Sequence, residues 1–540
     1  MRRQLRGELP LQRLARRRRI RPGNGVKRAQ NPVQTAPSCL QSLHRIGKCR
    51  GLLCISNSRN FRPVLRQGHL HRRRIILIAD HIKGRHIKRR VPTGEQQRIG
   101  HLSPHKSRYP RGSRPTRPLQ WSASRASLPP SQNSLTERPA MRNHQGPQTL
   151  AIHAGESPDP GTGASSPPLH MSSTFCVDAP AGFSAHDLGS ESPFLYARWS
   201  NPTVDMFERK IAALDGADAC LATASGMAAA SAIFFTFLSA GDHVVVSDVS
   251  YAGVAELARE TLPRLGIQVS LVDLSDPQNL ANALRPNTKL VHAETPVNPI
   301  TRLTDLSAIA ALTHQAGALL SCDCTFASPM GQRATALGVD LVMHSATKYI
   351  GGHGDALGGT ISGRAALIKQ LRVEAGIHHG GILSPFNAWL IARGAATLPL
   401  RMRAHQSGAL EVARWLETHP AVTRVLYPGL PSHPQYDLAQ RQMLNSSGMI
   451  AFQVGSAEQG RALAQTMIEK LDMVHYAVSL GHHRSLIFWM ETAALLASSF
   501  RLEGAQAEGY RAFAGDGIFR LSVGLEDPPD IIADLGRALG

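Results

Sequence analysis

The chain has 540 residues, with 60 Lys+Arg against 39 Asp+Glu and a formal net charge of +21. That balance suggests a nucleic-acid binder, but 33 of the basic and only 4 of the acidic residues fall in residues 1–140, leaving the remainder at −8, an ordinary acidic globular protein. No apolar stretch approaches the roughly 20 residues of a membrane-spanning helix, and seven cysteines, three of them in the basic arm, give no disulfide framework and point to a reducing cytoplasm.

Residues 1–140 read as non-globular. Runs such as Arg16–Arg19 and Arg72–Arg74 repel one another, and only Ile75–Ala79 has the look of a strand. A nucleic-acid or membrane-surface tail, an over-long targeting segment and a translated stretch upstream of a true start at Met141 all fit; the last fits best. If the arm binds nucleic acid, the chain has a non-enzymatic role, which removal of residues 1–140 would expose. Residues 141–202 are rich in Pro, Gly and Ser and form an extended arm.

From Thr203 the pattern becomes regular. A helix is expected over 203–215, closed by Asp215-Gly216, and an apolar helix follows Ser225-Gly226-Met227. His243–Ser247, Ile267–Val272, Leu290–Glu294, Ala318–Asp323 and Val339–Met343 read as strands with helical segments between them. That alternation predicts an α/β fold, a mainly parallel sheet covered by helices, over residues 203–395. A long helical region towards residue 415 opens a smaller C-terminal α+β domain, residues 396–540, with a strand at Met449–Val454.

Three places carry chemistry. Lys348 follows an apolar strand and the small residues Ser345, Ala346 and Thr347, and precedes a glycine-dense turn. Glycines and small residues let a ligand approach the backbone, the two hydroxyls suit a phosphate, and a lysine desolvated there is a nucleophile towards an aldehyde. Ser225-Gly226-Met227 opens a helix whose N-terminal amides suit an anion, although a plain helix cap has the same appearance. Asp323 ends a buried strand, where open α/β sheets place ligands. It needs a partner, and a pyridinium N–H, a helix N-terminus or a salt bridge would each serve. Cys322 and Cys324 on the opposite side read as core fillers rather than metal ligands.

Together with Tyr196-Ala-Arg-Trp-Ser-Asn-Pro-Thr203, Glu294-Thr-Pro-Val-Asn-Pro299, Ala477-Val-Ser-Leu-Gly481 and Arg520-Leu-Ser-Val-Gly-Leu-Glu-Asp527, the motif His344-Ser-Ala-Thr-Lys-Tyr349 resembles the Cys/Met-metabolism, or trans-sulfuration, family of pyridoxal 5'-phosphate (PLP) enzymes over residues 146–540. The resemblance implies the aspartate-aminotransferase-like fold type I. It makes Lys348 the Schiff-base lysine and proton shuttle, and Asp323 the partner of the pyridine nitrogen. Gly226, Met227, Ser345 and Thr347 would hold the phosphate, with Tyr196 and Arg198 reaching the phosphate of a neighbouring subunit in a tetramer of two active dimers. Tyr251 would stack on the cofactor and assist the leaving group, Arg520 would fork onto the substrate carboxylate, and Asn298 and Ser479 would complete those contacts.

Val478 stands where cystathionine γ-lyases and some synthases carry a glutamate, and suits a methyl thioether. With Gly448–Phe452 and Tyr427–Leu430 it makes the chain look like a methionine γ-lyase, a C–S lyase; γ-replacement and cystathionine cleavage are the alternatives. Two features depart from the methionine γ-lyase pattern. Gly253 stands two residues past Tyr251, where a cysteine is usual, and the stretch from Gly481 to Ala497 is rebuilt, with His482-His483 in it. That pair and His378-His379 could touch substrate at the entrance, although such pairs are more often surface or loop residues, and no metal site is expected of them.

Overall fold

The computed structural model describes residues 145–178, 184–185 and 193–540. The basic arm, with its Ile75–Ala79 strand expectation, and Met141 lie outside the described residues. Seven strands form the first sheet: β1 Ala219–Thr223, β2 His243–Ser247, β3 Gln268–Val272, β4 Thr288–Glu294, β5 Leu319–Asp323, β6 Leu341–His344 and β7 Gly359–Gly363. Their order is β1-β7-β6-β5-β4-β2-β3. The run from β3 to β6 is parallel, and β7 is antiparallel to both its neighbours.

The sheet is covered on both faces, which is why its strands read as unbroken apolar runs. Val244 and Val246 of β2 join one core with Ile233 and Phe234 of the helix Gly226–Phe237. Val245 points the other way, into a core with Ile309 of the helix Leu306–Gln315. Strand β7 is absent from the sequence reading because its two ends are glycine, which normally weakens a strand. Residue 359 is nonetheless glycine for a steric reason: a β-carbon there would lie 2.2 Å from Ser225 O.

Five further strands form a second sheet: β8 Arg424–Leu426, β9 Met449–Gln453, β10 His475–Tyr476, β11 Leu486–Glu491 and β12 Gly517–Ser522, ordered β10-β11-β12-β9-β8. Phe519 anchors its core, with ring centroids 5.3 Å from Phe452 and 4.8 Å from Trp489. The long helical region expected after Pro385 is two helices, Pro385–Ala395 and Leu398–Thr418.

The second of these carries Arg401, which is 6% exposed and donates to Tyr349 O (2.7 Å), Ile350 O (3.1 Å) and Gly394 O (2.7 Å). Three carbonyls around the lysine turn thus depend on one guanidinium, whose own pKa burial lowers to about 10. Arg401→Leu should cost about 3 kcal/mol or more of unfolding free energy, because it strands buried acceptors. A urea midpoint equal to the parent's would refute this.

Candidate active site

Lys348 lies four residues past the end of β6, in a turn tied to both sheets. Ser345 N donates to Thr325 Oγ1 (2.8 Å), just beyond β5. From the other side Gly448 N donates to Tyr349 Oη (3.1 Å) and His483 N to Gly352 O (2.9 Å). The Lys348 amine donates to Ser479 Oγ at 2.7 Å. Burial, and then the nearby Arg520 charge, lower its pKa to about 8. Ser479 sits at φ +89, a conformation that costs a non-glycine residue about 1–3 kcal/mol and persists only where the surroundings dictate it.

Asp323 ends β5 and is registered against Glu294, which ends β4. Both carboxyls are buried. Asp323 Oδ1 accepts from Thr325 N (2.9 Å); Glu294 accepts from Tyr251 N (2.6 Å) and Asn298 N (2.7 Å). Burial raises both pKa values, and the charge of Asp323 raises that of Glu294 further. His344, at the end of β6, works against this for Asp323. Although burial disfavours its charge, the Asp215 carboxylate 3.0 Å away raises its pKa to about 9. Two buried carboxyls side by side stay ionised together only with positive charge nearby, and the protonated nitrogen of a pyridine ring is such a charge.

An anion cradle lies where the helix Gly226–Phe237 begins. Ser225 Oγ accepts from Ala228 N (3.1 Å), so the capping reading holds. The amides of Gly226 and Met227 head the same helix, where no intrahelical acceptor reaches them. A β-carbon at Gly226 would lie 2.9 Å from that of Ser345; only glycine lets the two segments come this close. The Thr347 hydroxyl donates to Gly358 O (3.2 Å) and accepts from Gly358 N (3.0 Å), so it would have to exchange a bond to hold a phosphate. Cradle, buried carboxyl and low-pKa amine together fit PLP.

Arg520, in β12, is buried and bonds Asn298 Oδ1 (2.8 Å) and Ser479 O (3.1 Å). Burial lowers its pKa to about 10. Tyr251 is half exposed at the start of the helix Ala252–Glu256. Its ring adjoins Met227 across Gly253, where a β-carbon would lie 3.0 Å from Met227 Sδ and 3.1 Å from Tyr251 Cε1. Val478, next to Ser479, is 64% exposed.

Tyr196 and Arg198 stand apart from this set. Arg198 lies over the Tyr196 ring at 5.3 Å and donates to Ile377 O, while Tyr196 bridges Thr174 and packs on Trp199, so their contacts run to these segments rather than to Lys348. His378 pairs with Glu374 (3.0 Å), whereas His482 reaches the Ser479 hydroxyl. The sequence reading gave no role to Glu294 or Arg401. Glu294 opens a segment already singled out and could have been found as a second carboxyl at a strand end; Arg401, inside a helix, carries no such signal.

A family model described as Cys/Met metabolism PLP-dependent enzyme matches residues 148–540. The chain belongs to that family. A canavanine gamma-lyase of Pseudomonas canavaninivorans is 40% identical, over 72% of this chain and 95% of the relative. The O-succinylhomoserine sulfhydrylase of Pseudomonas aeruginosa is 41% identical (72% and 94%), and the L-methionine gamma-lyase of Treponema denticola 39% (72% and 95%). The solved cystathionine gamma-lyase of Lactobacillus plantarum, complexed with L-serine, superposes with a TM-score of 0.65 at 35% identity, over 73% of this chain and 98% of that one. This is the fold of PLP-dependent trans-sulfuration enzymes, and PLP is the cofactor of this family member.

In the cofactor-free protein, acylation of Lys348 should rise with pH through an inflection near 8, against about 10.4 for a solvated lysine. Arg520→Met, which removes the like charge, should move the inflection upwards. Residue-resolved labelling by mass spectrometry measures both; an inflection above about 10 in the parent would contradict the buried-amine geometry.

Proposed function

We propose that the chain is a C–S lyase of the methionine γ-lyase kind, releasing a thiol, ammonia and a 2-oxo acid. The observation that carries this reading is Val478: an apolar side chain at the open side of Ser479, where a carboxylate would be needed to hold the distal ammonium of cystathionine.

Bound PLP supplies the electron sink. In this reading Lys348 is the base that removes the substrate Cα proton and returns it elsewhere. Arg520, steadied by Asn298 and the Ser479 carbonyl, takes the substrate carboxylate. Asp323 holds the proton of the ring nitrogen, Gly226, Met227 and Ser345 hold the phosphate, and Tyr251 supplies a proton to the leaving thiolate. Tyr196 and Arg198 serve the site of a neighbouring subunit in a dimer of dimers, which accounts for their distance from Lys348 within one chain. The large PLP-binding domain takes residues 203–395 and the small domain 396–540. A cytoplasmic location is supported by the free thiols of Cys176, Cys220, Cys322 and Cys324; among the described residues no helix is long and apolar enough to cross a membrane. The similarity to a sulfhydrylase favours γ-replacement as the second reading.

Methionine should yield 2-oxobutanoate, and Val478→Glu should lower that turnover about tenfold or more, since a charge at an apolar contact costs at least as much as a missing methylene. If methionine gives none while an acylhomoserine plus a thiol gives a thioether, γ-replacement is the activity. Lys348→Ala should lack the absorbance at about 420 nm that lysine-bound cofactor gives.

A further inference from the structure

His482 belongs to the loop that closes over the lysine turn, and nothing in the assigned chemistry uses it. Its Nε2 lies 3.4 Å from Ser479 Oγ, the same oxygen that accepts from Lys348 Nζ at 2.7 Å. The ring is held against Gly354: a β-carbon at that position, whose φ is +72, would lie 2.6 Å from Cε1 and 2.7 Å from Nδ1 of the imidazole. The slot therefore requires glycine at 354 as long as the imidazole occupies it.

The charged groups facing His482 are Lys348, its neighbour His483 and Asp355. Burial foremost, then Lys348 and His483, disfavour a proton on the ring, and Asp355 favours one. The balance lies below the ordinary histidine value, so at neutral pH the ring is neutral, and in its Nδ1–H tautomer Nε2 is an open acceptor.

We propose that His482 is a positioning residue for Lys348, acting through the Ser479 hydroxyl as a proton relay. As Lys348 gives up a proton, an N–H bond breaks at Nζ and an O–H bond forms at Ser479 Oγ. The proton previously on Ser479 leaves for His482 Nε2. Lysine loses one proton, histidine gains one, serine stays neutral, and no electrons change hands. With His482 neutral the relay is open. As pH falls through the His482 pKa both ends carry protons and it shuts, so the relay contributes above that pKa and not below it. The proposal rests on Lys348 as the lysine that takes the cofactor.

The test uses the full chain stripped of cofactor. Uptake of added PLP requires a free Lys348 amine and is followed by absorbance at about 420 nm over roughly pH 5 to 9. His482→Gln, which preserves the shape of the slot but does not titrate, should slow uptake at neutral pH about tenfold or more and abolish its acidic inflection. His482→Gly should be slowed as well and recover with added imidazole, which fits the vacated slot. Packing alone would produce neither the lost inflection nor the rescue. Uptake by the Gln variant at the parental rate with the parental pH profile would overturn the relay, as would a folded Gly variant that imidazole leaves unchanged; if that variant fails to fold, the Gln comparison decides. Lys348→Ala taking up the cofactor with the same band would overturn the lysine assignment instead.

Discussion

The structure turns on the short segment from His344 to Gly352, which is held by hydrogen bonds on every side. Thr325 at the edge of the first sheet, Arg401 in a buried helix, Gly448 at the start of β9 and His483 in the closing loop all bond its backbone or the Tyr349 hydroxyl. A glycine-rich turn left alone would sample many conformations, and fixing each residue costs about 1–2 kcal/mol of backbone entropy. Here the contacts that join the two sheets are the same contacts that order the turn. A reactive lysine needs such a frame, because moving its amine by an ångström would break the 2.7 Å bond to Ser479.

The electrostatics follow from the same placement. Strands β4, β5 and β6 end side by side on Glu294, Asp323 and His344, so two carboxyls and an imidazole share a dry sheet edge. Asp215 holds the imidazole protonated, which offsets part of the acidic charge. The pair of carboxyls remains costly in the absence of a further cation. Glu294 also has a mechanical part: its two oxygens tie the Tyr251 and Asn298 amides together, and Asn298 in turn bonds Arg520. One buried carboxyl thereby ties the backbone beside Tyr251 to the partner of Arg520.

Much of this was legible in the sequence, for physical reasons that differ by element. Strands β2 and β4 are buried on both faces and announce themselves as apolar runs, and the helix after Asn201-Pro202 shows its cap. Strand β7 escaped notice because its glycines are there for close approach, Gly359 to Ser225 and Gly363 to the Asp340 carbonyl, rather than for turning. Lys348 and Asp323 could be read because each sits beside a strand end with small residues around it. Arg401 could not, since its contacts with the lysine turn are more than fifty residues away in sequence; of His482 only a place near the substrate entrance could be read, because its contact with Ser479 depends on a loop path that no local pattern specifies. Thr347 shows a further limit: a hydroxyl beside an expected phosphate can be read from sequence, but its engagement with Gly358 cannot.

On the proposed reading, the cofactor chemistry and the choice of reaction occupy different depths of this molecule. Asp323, Glu294, Arg520 and the lysine turn are buried, where a changed side chain disturbs packing and charge balance together, so these positions have little freedom to vary. Val478 is exposed and His482 half-buried at the rim, so substitutions there cost the fold little. Relatives named for different reactions are each about 40% identical to this chain. Gly253 is the intermediate case. A β-carbon there would press on both Met227 and the Tyr251 ring, so a cysteine at this position would move the tyrosine that the proposed reaction assigns to the leaving group. Glycine at 253 and histidine at 482 therefore act on the same reacting region from two sides, one through the placement of Tyr251 and the other through Ser479.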